Sequence, residues 1–404
     1  MKFYQIKPEE RRSLLAQEGI DLAPIDPEAL HSLNLLSENV VGQVRLPLGL
    51  VEKLIVNGQS YWVPMAIEEP SVVAAANHGA HIFAQNGGVQ AVSHRQGIYG
   101  QIVLKVNADF EAKQLTEKIP ALITTTNQEF ASLIRHGGGL RSIEFKVKDD
   151  LLYLKVLVHP AEAMGANKTN SILEYLSKLL VEEKGIQEKL FAILSNYPSQ
   201  RTTAKVALDF ASVGGRKNAE RIALLSQIAH NNVYRAVTNN KGIMNGVDAV
   251  LVATGNDYRA IEAACGVLAS QNGRYESLST WKIDKEQLVG ELTLPMMIGT
   301  VGGSIKARKD IQQAFSFFKG KISSARLGEI ITAIGLANNL TAMLAIATTG
   351  IQAGHMKLQA RNTVASLDAT DTEKKLVLKE LIKHKKYSQT FAQKMLIKLR
   401  KEEK

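Results

Sequence analysis

The sequence predicts an α+β protein: a large helix-rich domain, a ferredoxin-like (βαββαβ) unit inserted into it, and a small helical block at the C-terminus. Three observations predict this. Residues 98–210 carry strand and helix signals in the order β-α-β-β-α-β. Alanine-rich helical stretches flank that unit, at 217–268 and 324–353. The chain from about Gly350 onward is helical and basic, and it is joined through Gly350 and Gly354. The expected divisions are therefore 1–97 and 211–350 for the large domain, 98–210 for the insert and 351–404 for the final block.

Taken in order, the N-terminal MKFYQIKPEERRSLL is helical and polar, with no apolar core of signal-peptide length. Two Gly/Pro-punctuated segments follow, ENVVGQVRLPLG and VNGQSYWVPMAIEEPS, and then a small-residue helix, SVVAAANHGAHIFAQNGG. The insert opens with the strand IYGQIVLKV (98–106). Helical sequence runs from Asp109 to about Arg135, interrupted near Pro120, because proline removes a backbone donor. HGGGLR (136–141) is a turn. SIEFKVK and LLYLKVLV alternate apolar and polar residues around Asp149-Asp150, a hairpin signature. Ile172, Leu173, Leu176, Leu179 and Leu180 give Asn170 to about Glu183 helical periodicity. TAKVALDF (203–210) is expected to close the insert as its last strand. Beyond it, ESLSTWKI and ELTLPMMIGTVGG read as strands between the alanine-rich helices.

Bulk properties narrow the class. The 404 residues are 45% hydrophobic and 22% charged, as in an ordinary globular protein of two or three domains. The single cysteine, Cys265, cannot form an intrachain disulfide, which points to a cytoplasmic location, and its Ala/Gly-rich surroundings make it a packing residue. Ile330 to Gly354 is long and free of charge, but Asn338, Asn339 and several threonines and glycines make a buried core helix the better reading than a membrane span. Much of the net charge of +10 lies in the last thirty residues. Such a tail fits nucleic acid, a solvated amphipathic helix pair, or a basic surface beside a polyphosphate ligand. No aromatic residues are interleaved to stack bases, so a nucleic-acid-binding protein is the weaker alternative.

Four constellations carry possible chemistry. Lys241 and Asp257 sit sixteen positions apart in a charge-poor stretch. They are either a structural pair or a cation held by a carboxylate and aimed at an oxygen that becomes negative. Near the lysine, Arg235 fits a carboxylate clamp and Asn245 an orienting amide. Glu68-Glu69-Pro70-Ser71 opens a helix; its acids are first-turn charges or include a partly buried proton donor. Gly354-His355-Met356 places a histidine after a glycine hinge, as a mobile acid or an exposed helix residue. Ala163 to Asn170 joins strand to helix with small residues, a helix cap or a place for phosphate on backbone N–H groups, although it is not GxGxxG. No cysteine pair or histidine cluster offers a metal site, and no P-loop or G-x-S-x-G is present.

ENVVGQVRLPLG, EEPSVVAAA, EAMGANKTN, NKGIMNGVDAVLVATGNDYRA, GTVGG and GHMKLQARN occur in this order, and the chain from about residue 10 to 400 resembles class II (bacterial, soluble) 3-hydroxy-3-methylglutaryl-coenzyme A (HMG-CoA) reductase. The resemblance implies reduction of the HMG-CoA thioester by two hydrides from NAD(P)H, giving mevalonate and free CoA in isoprenoid synthesis. The same enzyme running in the oxidative, mevalonate-degrading direction is the alternative. It implies catalytic roles for Glu69, Lys241, Asp257 and His355, and substrate contacts from Ser71, Arg235 and Asn245. It places the cofactor on Glu162, Met164, Gly165, Asn167 and Asn170, with NADPH favoured over NADH and no metal. The family motif reads D-A-M-G-A-N, and Glu162 stands here in place of the Asp. The inserted unit becomes the nucleotide domain and the C-terminal block a flap, whose basic charge suits the phosphates of CoA. The family also implies a homodimer or higher even oligomer with active sites at the subunit interface. The expected partners are thus HMG-CoA, mevalonate and CoA, with neither nucleic acid nor membrane.

Overall fold

A computed structural model describes residues 2–303, 305–348, 350, 360–361 and 363–402. Residues 2–48 form one unit. It holds α1 (Pro8–Gln17) and α2 (Pro27–Leu36), each opened by a proline at its first position, where the missing N–H costs nothing. Arg11 is 2% exposed and gathers this unit. Its guanidinium donates to the carbonyls of Phe3, Tyr4 and Val40 and to Asn34 Oδ1 at 2.7–3.1 Å. These are neutral acceptors on three segments, so one buried cation ties the turn at Phe3–Tyr4, helix α2 and the stretch at Val40 together.

The second unit runs from Gly49. It begins with a hairpin of β1 (Leu48–Val56) and β2 (Gln59–Ala66). Asn57 and Gly58 turn it at φ 51° and 78°, the left-handed pair that an Asn-Gly hairpin favours. Next come α3 (Pro70–Gln85) and the short β3 (Gln90–Ser93). The inserted region contains β4 (Ile98–Val106), α4 (Ala112–Glu129), α5 (Ala131–Arg135), β5 (Gly139–Lys148), β6 (Leu151–His159), α6 (Ala166–Val181) and β7 (Ile186–Leu194). Its four strands form one antiparallel sheet in the order β5-β6-β4-β7. The remainder comprises β8 (Arg201–Asp209), α7 (Arg216–Asn231), α8 (Val233–Ala253), α9 (Tyr258–Ala269), β9 (Ser279–Asp284), β10 (Gln287–Pro295), α10 (Lys309–Ser316), α11 (Ser324–Ala347), α12 (Asp371–His384) and α13 (Gln389–Glu402).

Two sequence expectations are corrected here. TAKVALDF does not close the inserted sheet. It is β8, paired with β3 and β10 in a second sheet ordered β3-β8-β10-β9. The fourth strand of the insert is β7, an edge strand whose residues are mostly exposed and whose sequence, IQEKLFAIL, carries little alternation. Alternation in β8 reports one buried face but not which sheet buries it. The helical stretch breaks at Phe130, between α4 and α5, and α4 continues through Pro120.

Among the described residues, three apolar cores are distinct. The largest joins the β1–β2 hairpin, α3, α8, α11 and the β3-β8-β10-β9 sheet. A second lies between the inserted sheet and α4 and α6. A third, including Ala360, Val377, Leu381 and Leu396, holds the C-terminal block together. α11 is long and apolar enough to cross a membrane, and 72% of its apolar window is buried inside the fold. Its buried residues lie on every side of the helix because it runs through the largest core.

Candidate active site

A cavity of about 810 Å³ opens between α3, α8 and α11, with Arg361 and the α12 residues Leu378 and Ile382 at its edge. Each wall is one helix stripe. α3 presents Ser71, Ala74, Ala75 and His78, spaced i, i+3, i+4 and i+7. α8 presents Arg235, Thr238, Gly242 and Asn245 in the same rhythm, with Lys241 and Asn239 beside them. α11 presents Asn338, Thr341, Ala342 and Ala345. The walls meet closely because small residues face one another: a Cβ on Gly79 of α3 would lie 2.7 Å from the Ala337 carbonyl carbon of α11.

Glu69 enters the cavity as the N-cap of α3, with Pro70 at the first helical position. Its Oε1 accepts from Ser71 N at 3.2 Å. The cap fixes this carboxylate at the positive end of the helix. Glu68 is exposed and does not line the cavity. Arg235 sits across from it with an incomplete set of partners. Burial lowers its guanidinium below the usual arginine range. Nη2 reaches Met343 Sδ at 3.4 Å, and the buried Nε has no partner among the described residues. A cation with spare donors at a cavity wall is chemically able to take an anionic group. Behind α8 and α11 lies a polar floor. Asn339 Nδ2 donates to Asn239 Oδ1 at 2.9 Å, and Asn339 Oδ1 accepts from Trp281 Nε1 at 2.7 Å and Ser279 Oγ at 2.9 Å. That network locks the two walls in one relative position.

The predicted Lys241–Asp257 pair does not form within one chain. Asp257 is the N-cap of α9, where Oδ1 accepts from Arg259 N and Nε at 3.1 Å and from Ala260 N at 3.2 Å. It is absent from the cavity lining. Lys241 lies twelve residues before the end of α8 at Ala253, an axial rise of about 18 Å. Glu69, Ser71, Arg235, Lys241 and Asn245 therefore converge, and Asp257 stands apart. His355 lies outside the described residues. Sequence reasoning missed His78, Thr238, Asn338, Asn339, Thr341 and Arg361 as lining residues. Helical spacing from Ser71 carries the signal for His78, since seven residues return to the same face.

The loop leading into α6 is tightly organised. Gly165, at φ 98°, caps α6 without a side-chain bond, and a Cβ there would collide with Pro160. Only glycine fits, and no side chain at the cap position claims the first N–H groups of the helix. Glu162 Oε2 accepts from Ser324 N at 2.6 Å and Ser324 Oγ at 2.8 Å. Burial raises the Glu162 carboxyl, but those two bonds and the charges of Arg95 and His159 outweigh it and hold it below the usual range. Asn170 Oδ1 accepts from Leu194 N at 2.8 Å, tying α6 to the end of β7. Asn167 and Lys168 are exposed, with Lys168 Nζ 5.6 Å from the Phe130 ring centre. Gly299 packs on the backbone of Met164, and its N–H donates to Asn256 Oδ1 at 2.8 Å. Among the described residues, no cluster of three or more His, Cys, Asp or Glu could hold a metal.

Comparison with known proteins gives one consistent answer. A family profile described as hydroxymethylglutaryl-coenzyme A reductase matches residues 7–360. The chain is 35% identical to the 3-hydroxy-3-methylglutaryl-coenzyme A reductase of Archaeoglobus fulgidus, covering 98% of this chain and 94% of that one. A solved 3-hydroxy-3-methylglutaryl-coenzyme A reductase from Streptococcus pneumoniae matches with a TM-score of 0.75 at 38% identity, over 98% and 99% of the two chains. A second structure from that organism, a class II enzyme bound to NADPH in open conformations, matches with a TM-score of 0.74 at 39% identity over 97% and 99%. With a profile spanning most of its length and class II structures matching nearly all of it, the chain belongs to the class II hydroxymethylglutaryl-coenzyme A reductase family.

Proposed function

We propose that this chain reduces the thioester of HMG-CoA to mevalonate and free CoA, in the direction of isoprenoid synthesis, with the substrate seated in the cavity between α3, α8 and α11. The observation that carries the reading is the convergence of Glu69, Lys241 and the under-partnered Arg235 on one cavity. Arg235 takes the free carboxylate of the substrate, and Ser71 and Asn245 orient its polar groups. Lys241 faces the thioester carbonyl and stabilises the negative charge that grows on its oxygen during reduction. Glu69 hands over the proton that completes the alcohol. His355 protonates the departing CoA thiolate, and the basic C-terminal block draws in the CoA phosphates. Asp257 supports Lys241 from a second copy of the chain, so the working unit is a homodimer or a higher even oligomer. Tyr234 and Val237 on the α8 turns before Lys241, and Tyr258 next to Asp257, are 86%, 51% and 43% exposed and suit such a contact. One buried cysteine fits a cytoplasmic enzyme.

The loop from Glu162 to Asn170 suits a nicotinamide nucleotide. Its small residues and the uncapped N-terminus of α6 leave backbone donors for a phosphate, and Gly165 permits the left-handed turn that starts the helix. When bound, the nucleotide supplies the hydrides. Lys168 beside that helix end, and the NADPH held by the Streptococcus pneumoniae relative, favour NADPH over NADH. Met164, Gly165 and Asn167 form the cradle, and Asn170 holds it to β7.

Following NADPH absorbance with HMG-CoA tests the assignment. Lys241→Ala is expected to lose roughly 100- to 1,000-fold in kcat with its circular dichroism unchanged. Turnover at the wild-type rate in that variant overturns the role of Lys241. His355→Gln is expected to slow HMG-CoA reduction much more than reduction of added mevaldehyde, which has no thiolate to expel. Equal impairment of both sinks that role.

A further inference from the structure

We propose that Glu162 is a positioning residue, a strap that ties the nucleotide loop to the N-terminus of α11 through Ser324. The proposal rests on the reading of residues 162–170 as the nucleotide site. The family motif has Asp at this position, and a motif acid is naturally read as a ligand contact. Here the carboxylate is already engaged. Two donors from Ser324 converge on Oε2, at 2.6 and 2.8 Å. Ser324 is fully buried and is the first residue of α11, so the acid sits at the positive end of a 24-residue helix. An aspartate would stop about 1.5 Å short, the length of one C–C bond.

Neighbouring bonds make the strap part of a frame. Glu162 O accepts from Thr300 N at 2.9 Å, and Ala163 bridges Val301. Arg95, whose guanidinium is largely buried, donates to Ala161 O at 3.0 Å and Ile298 O at 3.3 Å, and its charge favours the ionised carboxylate. The loop is thus held on one side by the chain after β10 and on the other by the head of α11. The opposite half of α11 forms a wall of the substrate cavity. A rigid helix clamped to the loop at one end and lining the cavity at the other gives the two binding sites a common element.

A double-mutant cycle on NADPH affinity, read by nicotinamide fluorescence without substrate, tests the strap. Glu162→Ala is expected to weaken NADPH about 3- to 10-fold, and Ser324→Ala to weaken it by a smaller factor because its backbone donor remains. In the Glu162→Ala background, Ser324→Ala should then add nothing. Glu162→Asp, which restores the family residue, should weaken binding rather than improve it. Hydrogen exchange at amides 324–327 should quicken in Glu162→Ala and Glu162→Asp with no nucleotide present. If Ser324→Ala leaves NADPH affinity unchanged while Glu162→Ala weakens it, Glu162 touches the cofactor directly and the strap is overturned. Unchanged affinity in every variant also overturns it. A wild-type chain that binds no nicotinamide nucleotide overturns the underlying reading of the loop, and the strap with it.

Discussion

Asp248 shows how one side chain ties chemistry to packing. It follows Lys241 and Asn245 on α8 at i+7 and i+3 but does not line the cavity. Burial, then a hydrogen bond with Glu262 of α9, then the charge of Glu262 push its carboxyl up to about 8. Its Oδ1 is buried with no partner among the described residues. Cys265, next to both acids, has its thiol pushed up by burial and by their charges, so it is a packing residue and not a nucleophile. The folded chain keeps the Asp248 proton across a range in which the unfolded chain has released it. Its contribution to stability is therefore complete below the ordinary carboxylate range and is lost as pH rises through about 8. Asp248→Asn keeps a donor for Glu262 without titrating. The Tm of that variant relative to wild type is expected to climb between pH 5 and pH 8.5, and parallel Tm curves would falsify the shared-proton account. None of this was legible in the sequence, because α8 and α9 meet only after the chain turns at Thr254–Asp257. Arg235 and Lys241 were legible, since charges in an apolar helix need a reason to be there.

At the scale of elements, the cavity exists because α3 and α11 approach to backbone contact. Gly79 faces the Ala337 carbonyl, and Gly246 of α8 faces Asn338 Oδ1 and Ile334. Gly79→Ala gains about 1 kcal/mol of helix propensity, yet its methyl group meets backbone that cannot rotate away. Overpacking of this kind costs about 1–3 kcal/mol, so a net loss of stability is expected in urea unfolding, together with a raised KM for HMG-CoA as the walls part. A more stable variant with unchanged KM refutes the close-contact argument. The helices themselves were readable from periodicity and small-residue content, and the inserted strands from alternation and the Asp149-Asp150 turn. The partner of β8 was not, because period two names a buried face and leaves the neighbour open. β7 escaped notice for the opposite reason: an exposed edge has no buried face to announce.

For the whole molecule, the sequence motifs single out Lys241 and Asp257 but carry no information on which copy of the chain each one serves. Lys241 lines the cavity, whereas Asp257 caps α9 and is absent from the lining, and exposed side chains accompany each: Tyr234 and Val237 on α8, and Tyr258 next to Asp257. In the homodimer proposed above, each lysine would meet the other subunit's aspartate across a two-fold axis. Lys241→Ala and Asp257→Ala should each be inactive alone. Co-expressed, they form heterodimers in which one site carries both substitutions and the other carries neither. Random pairing makes half the dimers mixed, each with one intact site, so the preparation is expected to recover roughly a quarter of wild-type activity. Had both residues acted within one chain, every site in the mixed dimer would carry one substitution and nothing would return. A mixed preparation as inactive as its parents, with heterodimers verified by mass, therefore assigns Asp257 to its own subunit and removes the reason for placing the active site at an interface.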